Sequence, residues 1–523
     1  MHKFFPSFRI EIFVLIVIIL LGVCLRFYHL TNVPLGLYID EASIGYNAAA
    51  ILHTGKDEYG NPFPMAFRAF GEYKMPVYIY LTSAAMIPFG TTDFAVRFPS
   101  FFFGSISIFV FYFFLKQIIL LDQHFLPKKR ETLFCLLTTF LFAVLPWNVM
   151  FSRIGFEVNV GLFFYLTACF FFLKTINNKS LMSVGICFLG LVASIYTYDA
   201  FRIIAPITLI CFALYLYRKT TAKKYIILFF LLAIFGILPM VLFSFTNGGI
   251  ARFDETSAFS QYAQLSLFKK IVVYPLVYLQ NFLSYFSLSY LFSFGDGFDR
   301  QRVLGFGPVL RTELPLLLIG IYFFLKNSKG FLRIFILFLL FVAPIAGALT
   351  IPSPHELRSF LLVIPLTILT GLGATQLFFI KGKKAKVVLT ALVIIFTYNL
   401  ISFYDVYFIE YPFDSIISWG GGYKQLVLEA TRLQHQYKYI VINGSEFGGI
   451  NYVYFKFYNP NLPYIIAQKN TVWEKPKKDK NAKVLYISAD PNDQELKFFP
   501  HTFIENISLP NLNHDTFATF YQL

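Results

Sequence analysis

Long apolar runs, rather than alternating ones, dominate the first four-fifths of the chain. Stretches near 11–30, 98–121, 132–150, 158–174, 180–198, 202–218, 225–246, 309–326, 331–350, 359–380 and 386–405 approach the roughly twenty residues a helix needs to cross hydrocarbon. The pattern therefore predicts about eleven spans, or about 12–13 if shorter runs also cross. Two runs read differently. Pro76 to Gly90 is only about fifteen residues long and contains Pro88, so it is expected to be an interfacial or re-entrant helix on the outer side rather than to span. The aromatic run Ile271 to Phe294, between Lys269/Lys270 and Asp296/Asp299, is expected to lie along the outer surface as well. After residue 405 the sequence turns mixed and polar. Runs at Tyr439–Asn443 and Val484–Ser488 predict strands, and Lys424–Gln436 has a helical period. The chain thus divides into a membrane domain, 1–405, whose first outer loop is 31–97, and a small α/β domain, 406–523.

Composition agrees: 57% hydrophobic residues, 14% charged residues and a mean hydropathy of +0.62 leave too little polar surface for a soluble globule of 523 residues. The fold class is a polytopic α-helical membrane protein with an α/β appendage. The net charge of +15 is not a nucleic-acid signature, because its lysines and arginines are spread between apolar runs. Clusters at Lys128–Arg130, Arg218–Lys224, Lys326–Arg333 and Lys381–Lys386 mark cytoplasmic loops, which puts the loop 31–97 and the C-terminal domain outside. The expected location is the plasma membrane, with the chemistry on the extracytoplasmic side. All five cysteines lie in apolar segments and offer no metal-ligand spacing.

Candidate chemistry collects on the predicted outer face. Asp40-Glu41 follows the first span, where carboxylates meet water and can move protons. The alternative is structural, with Asp40 capping a helix near 42–52. The first outer loop also interleaves charges such as Glu72 and Lys74 with aromatics, a mixture suited to a sugar at a lipid headgroup. Three short outer loops pair an arginine with an acid: Arg153 with Glu157, Arg202 with Asp199 beside Tyr198, and Arg358 with Glu356 beside His355. Arginine's forked donors match a phosphate, although each pair could equally be an ion pair at a helix end.

Asp40-Glu41, the run Gly71-Glu72-Tyr73-Lys74-Met75-Pro76, Phe94-Ala95-Val96-Arg97, Ser152-Arg153, Tyr196-Thr197-Tyr198 with Arg202, and His355-Glu356-Leu357-Arg358 resemble the GT-C membrane glycosyltransferases. The nearest branch is that of the protein O-mannosyltransferases and lipid A aminoarabinose transferases. The resemblance covers residues 10–405. It implies an inverting hexosyl or pentosyl transfer from a polyprenyl-phosphate donor to a hydroxyl of a protein, lipid or polysaccharide. It further implies Asp40 as general base, Glu41 as its neighbour and Glu157 as a second acid. Lys74, Arg153, Arg202 and Arg358 would meet the phosphate, with Tyr198 and His355 among the substrate contacts. Ser43 and Ile44 stand where the aminoarabinose transferases carry arginine and tyrosine. No cofactor is expected, though some relatives that transfer oligosaccharides use a divalent ion. The rival reading is a transporter or flippase of lipid-linked sugars; against it, the apolar cores are nearly free of charge and no internal repeat is seen.

Overall fold

In a computed structural model the described residues are 8–122, 125–178, 180–219, 223–443, 451–467, 482–488, 493, 496, 501–510 and 515–523. Every predicted span falls on a helix. Among the described residues, eight helices are long and apolar enough to cross a membrane, from Arg9–Phe27 to Lys386–Asp414. This is an integral membrane protein. Three of the predicted spans correspond to shorter helices, Lys128–Val144, Leu181–Ile195 and Glu313–Asn327, of 17, 15 and 15 residues. The Pro76–Phe89 helix has 14 residues, about 21 Å, against a hydrocarbon core of about 30 Å. Leu267–Ser284 is also a helix and has no buried residue; Leu267, Ile271, Leu276, Leu279 and Leu283 are all exposed. That exposed apolar stripe, with Lys269 and Lys270 near its start, is compatible in composition with a surface-lying segment.

The chain packs into two compact units. The first comprises residues 1–28, 65–78 and 99–406; the second comprises 29–64, 79–98 and 407–523. Most of the first outer loop packs with the C-terminal residues.

In the first unit, small residues set the closest helix contacts. The Glu313–Asn327 and Val363–Phe378 helices meet where Gly320 faces the Leu369 carbonyl and Gly373 faces that of Leu316, so a Cβ at either position would collide with main chain. The unit also holds a short hairpin, β1 (Phe67–Ala69) and β2 (Glu72–Lys74), paired antiparallel. Its two-residue turn, Phe70-Gly71, has φ of 55° and 90°, the left-handed pair that matches hairpin twist.

The second unit contains the Ile39–Thr54 helix and a five-stranded sheet. Its strands are β3 (Tyr439–Asn443), β4 (Tyr464–Ala467), β5 (Val484–Ser488), β6 (Thr502–Ser508) and β7 (Thr516–Gln522), in the order β4-β3-β5-β7-β6. The first three run parallel, and β7 pairs antiparallel with both β5 and β6. Every residue of β5 is buried, as its unbroken Val-Leu-Tyr-Ile run requires of a strand covered on both faces. Both predicted strands are present, and the predicted helix appears as Tyr423–Leu433.

Candidate active site

Asp40 and Glu41 sit in the first turn of the Ile39–Thr54 helix, and they do different things. Glu41 is completely buried. Its carboxylate accepts the Tyr38 backbone N–H at 2.9 Å, closing the helix start, and takes both arms of Arg97, Nε at 3.0 Å and Nη2 at 3.1 Å. The Arg97 Nη1 group donates to the carbonyls of Leu30 and Pro34, each at 3.0 Å, so one buried guanidinium gathers the chain that leads into the helix. The N-cap is Tyr38, not Asp40, and the capping carboxylate belongs to Glu41. The capping alternative for Asp40 is therefore corrected. Asp40 remains half-buried beside a rigidly anchored neighbour.

The first unit builds a cavity of about 320 Å³ whose wall carries Tyr198, Arg202 and Arg358. Arg202 opens the Phe201–Lys219 helix after a tight turn in which its N–H donates to the Asp199 carbonyl at 2.9 Å. Its Nη1 pairs with Asp199 Oδ1 at 3.1 Å, while Nη2 donates to the Ser244 hydroxyl and, at 3.3 Å, to the Gly249 carbonyl. The guanidinium also lies over the Phe243 ring. Tyr73 of β2 packs edge-on against that same ring, at 5.3 Å between centroids, which brings the Glu72–Lys74 strand to the segment forming this wall. Lys74 itself is buried, 3.9 Å from Glu72.

Another part of the wall comes from residues the sequence did not flag. Asn247–Thr256 forms a helix that Thr246 caps by accepting the Gly249 N–H at 3.1 Å. Its end is stitched to the loop before Arg358: the Ala258 N–H donates to Leu349 at 3.0 Å, the Ile351 N–H donates to Thr256 at 2.6 Å, and Ser257 bridges Thr350. Arg358 Nη1 then donates to the Thr350 hydroxyl at 2.8 Å and the Ile351 carbonyl at 3.1 Å. Among the described lining residues, two guanidinium groups stand against the single Asp199 carboxylate, which gives that wall a cationic excess. Such a wall suits an anion with several acceptor oxygens.

The remaining candidates lie elsewhere. Arg153 is fully buried and donates Nη1 to the Leu25 and Arg26 carbonyls at 2.8 and 3.0 Å, fastening the end of the first helix. Glu157 is half-buried at the start of the Glu157–Asn178 helix, where the helix dipole favours a carboxylate. Neither lines the cavity. His355 is buried with its Nδ1 3.5 Å from Asp296 Oδ2, and its ring lies near Phe298. Asp296 also accepts the Glu356 N–H at 3.0 Å. Burial pushes both carboxyls above the ordinary range, and for Glu356, which goes well above it, the Asp296 charge adds to the effect. Among the described residues no group of three or more His, Cys, Asp or Glu is arranged to hold a metal ion.

No family model matches the sequence. No curated protein matches it either. Solved structures do. ArnT from Cupriavidus metallidurans, bound to undecaprenyl phosphate, superposes with a TM-score of 0.53 at 10% identity, over 98% of this chain and 97% of its own. The archaeal oligosaccharyltransferase AglB from Archaeoglobus fulgidus, in complex with an inhibitory peptide and a dolichol-phosphate, gives 0.51 at 16% identity, over 92% and 69%. The chain has a GT-C fold. Of the expected site residues, Tyr198, Arg202 and Arg358 line the first unit's cavity, and Glu41, next to Asp40, is anchored by Arg97.

Proposed function

We propose that this protein is an inverting glycosyltransferase that moves a sugar, hexosyl or pentosyl, from a polyprenyl-phosphate donor to a hydroxyl acceptor on the outer face of the plasma membrane. The observation that carries the reading is the cavity walled by Arg202 and Arg358, in a chain whose fold is shared with ArnT bound to undecaprenyl phosphate and AglB bound to a dolichol-phosphate.

The acceptor oxygen attacks the anomeric carbon from the face opposite the leaving group. The carbon–oxygen bond to phosphate breaks, and its electron pair departs on the polyprenyl phosphate. Arg202 and Arg358 stabilise the charge gathering on that phosphate, the electrostatic term that most lowers such barriers. Asp40 takes the acceptor proton. Glu41 is a positioning residue: paired with Arg97, it holds the helix start that carries Asp40. Tyr198, on the wall of the same cavity, is assigned to sugar contact.

Binding of undecaprenyl phosphate to the purified full-length protein tests this assignment. Arg202→Ala and Arg358→Ala should each weaken binding by about tenfold or more, the loss of a charge-assisted contact. Wild-type affinity in both variants would remove the phosphate from this cavity.

A further inference from the structure

The second unit has a cavity of its own, of about 300 Å³, and its chemistry is unlike that of the first. Its wall includes Asn32, Thr92, Gln425 and the Phe94 ring, with the backbone of Gly421–Gly422. The two charged residues that reach it, Lys424 and Asp93, cancel: Nζ lies 2.7 Å from Oδ2, and Tyr458 donates its hydroxyl to the other carboxylate oxygen at 3.1 Å. The rest of the wall is neutral, with the amides and hydroxyls of Thr31, Asn32, Thr92 and Gln425 set among the apolar Leu35, Phe94, Ile416 and Pro510. Gly422 has φ of 99°, a conformation that favours glycine, and the Phe517 ring packs where a side chain at that position would stand. An anion finds no net attraction there. A ligand with many hydroxyls and an apolar ring face finds both kinds of partner.

The cavity is also mechanically tied to Asp40. Leu35 and Gly36 form part of its wall and lead within four residues to Asp40. The Gly36 carbonyl accepts from Arg97 Nη2, and Arg97 is the guanidinium that grips Glu41. The Leu37 carbonyl is held by the Tyr454 hydroxyl at 3.0 Å. One anchor therefore sets both the cavity wall and the helix turn carrying the assigned base.

We propose that this cavity is the acceptor site and that the acceptor is a neutral saccharide, bound through its hydroxyls by Asn32, Thr92 and Gln425, with Phe94 against a sugar face. The assignment as acceptor rests on the transferase reading; the saccharide site itself does not, and the test separates the two.

Saturation-transfer NMR on the full-length protein, without donor, uses neutral trisaccharides of glucose, galactose, mannose and N-acetylglucosamine as probes. Wild type should bind at least one of them. Gln425→Trp, which fills the cavity, and Asn32→Ala should each weaken that binding by about tenfold or more while melting like wild type. If Gln425→Trp misfolds, Asn32→Ala decides alone. Binding of none of the probes, or equal binding by the folded variants, overturns the proposal, as does binding of serine-rich peptides alone. Saccharide binding lost in the variants of a protein that never transfers sugar keeps the site and ends the transferase reading. Sugar transfer to a non-saccharide, with no saccharide bound, does the opposite.

Discussion

At the scale of single residues, the adjacent carboxylates Asp40 and Glu41 divide their labour by burial. Glu41 and Arg97 are both fully buried and satisfy one another, so deleting one leaves an uncompensated charge in a dry place. Arg97→Met should destabilise the protein by about 3–5 kcal/mol in a detergent unfolding series. The double variant Arg97→Met/Glu41→Leu should recover part of that loss. A near-neutral Arg97→Met would show that the pair carries no structural weight. Asp40→Asn makes the complementary prediction. Because Glu41 closes the helix start through the Tyr38 amide, asparagine at 40 should leave melting unchanged. Turnover should drop by about 10²-fold or more, the usual contribution of a general base. Unchanged turnover would move the base to Glu157. The arginines show the limit of reading residues from sequence. Arg153, Arg202 and Arg358 each stand beside an acid in a short loop. Only the latter two line the cavity, whereas Arg153 binds main-chain carbonyls of a helix more than a hundred positions away.

At the scale of elements, the Asp296–Glu356 contact joins the loop around Gly295 to the His355–Arg358 loop. A carboxyl whose pKa is raised by folding favours the folded state while it is protonated. That advantage is complete below the ordinary value near 4.5 and is lost as pH rises through the raised one. Wild-type melting should therefore fall with rising pH above about 4.5 relative to Glu356→Gln, whose curve should be flatter. Parallel curves for the two proteins would contradict a shifted carboxyl at this contact. The elements that sequence made legible are those with a strong period: the spans, β3, β5 and the helix at 423–433. The Asn247–Thr256 helix escaped because it begins Asn-Gly-Gly and is short. What gives it a place is its cap at Thr246 and the backbone bonds of 256–258 to 349–351, a non-local pairing with no trace in local hydropathy.

At the scale of the whole molecule, alternating basic clusters predict that residue 57 is outside and residue 383 inside. In a background lacking the native cysteines, a cysteine at the neighbouring exposed position 56 should react with an impermeant thiol reagent in intact cells and one at 383 should not; the reverse pattern would overturn the orientation. The central claim is transfer of a sugar from a polyprenyl phosphate, and the most direct measurement of it is sugar release by mass spectrometry. Purified protein would be incubated with a panel of polyprenyl-phosphate sugars and candidate hydroxyl acceptors. Wild type should consume at least one donor and glycosylate an acceptor, Asp40→Asn should still bind that donor but release sugar about 10²-fold more slowly, and Arg202→Ala should lose binding as well. A folded wild-type protein that leaves every donor in a broad panel intact would contradict the account.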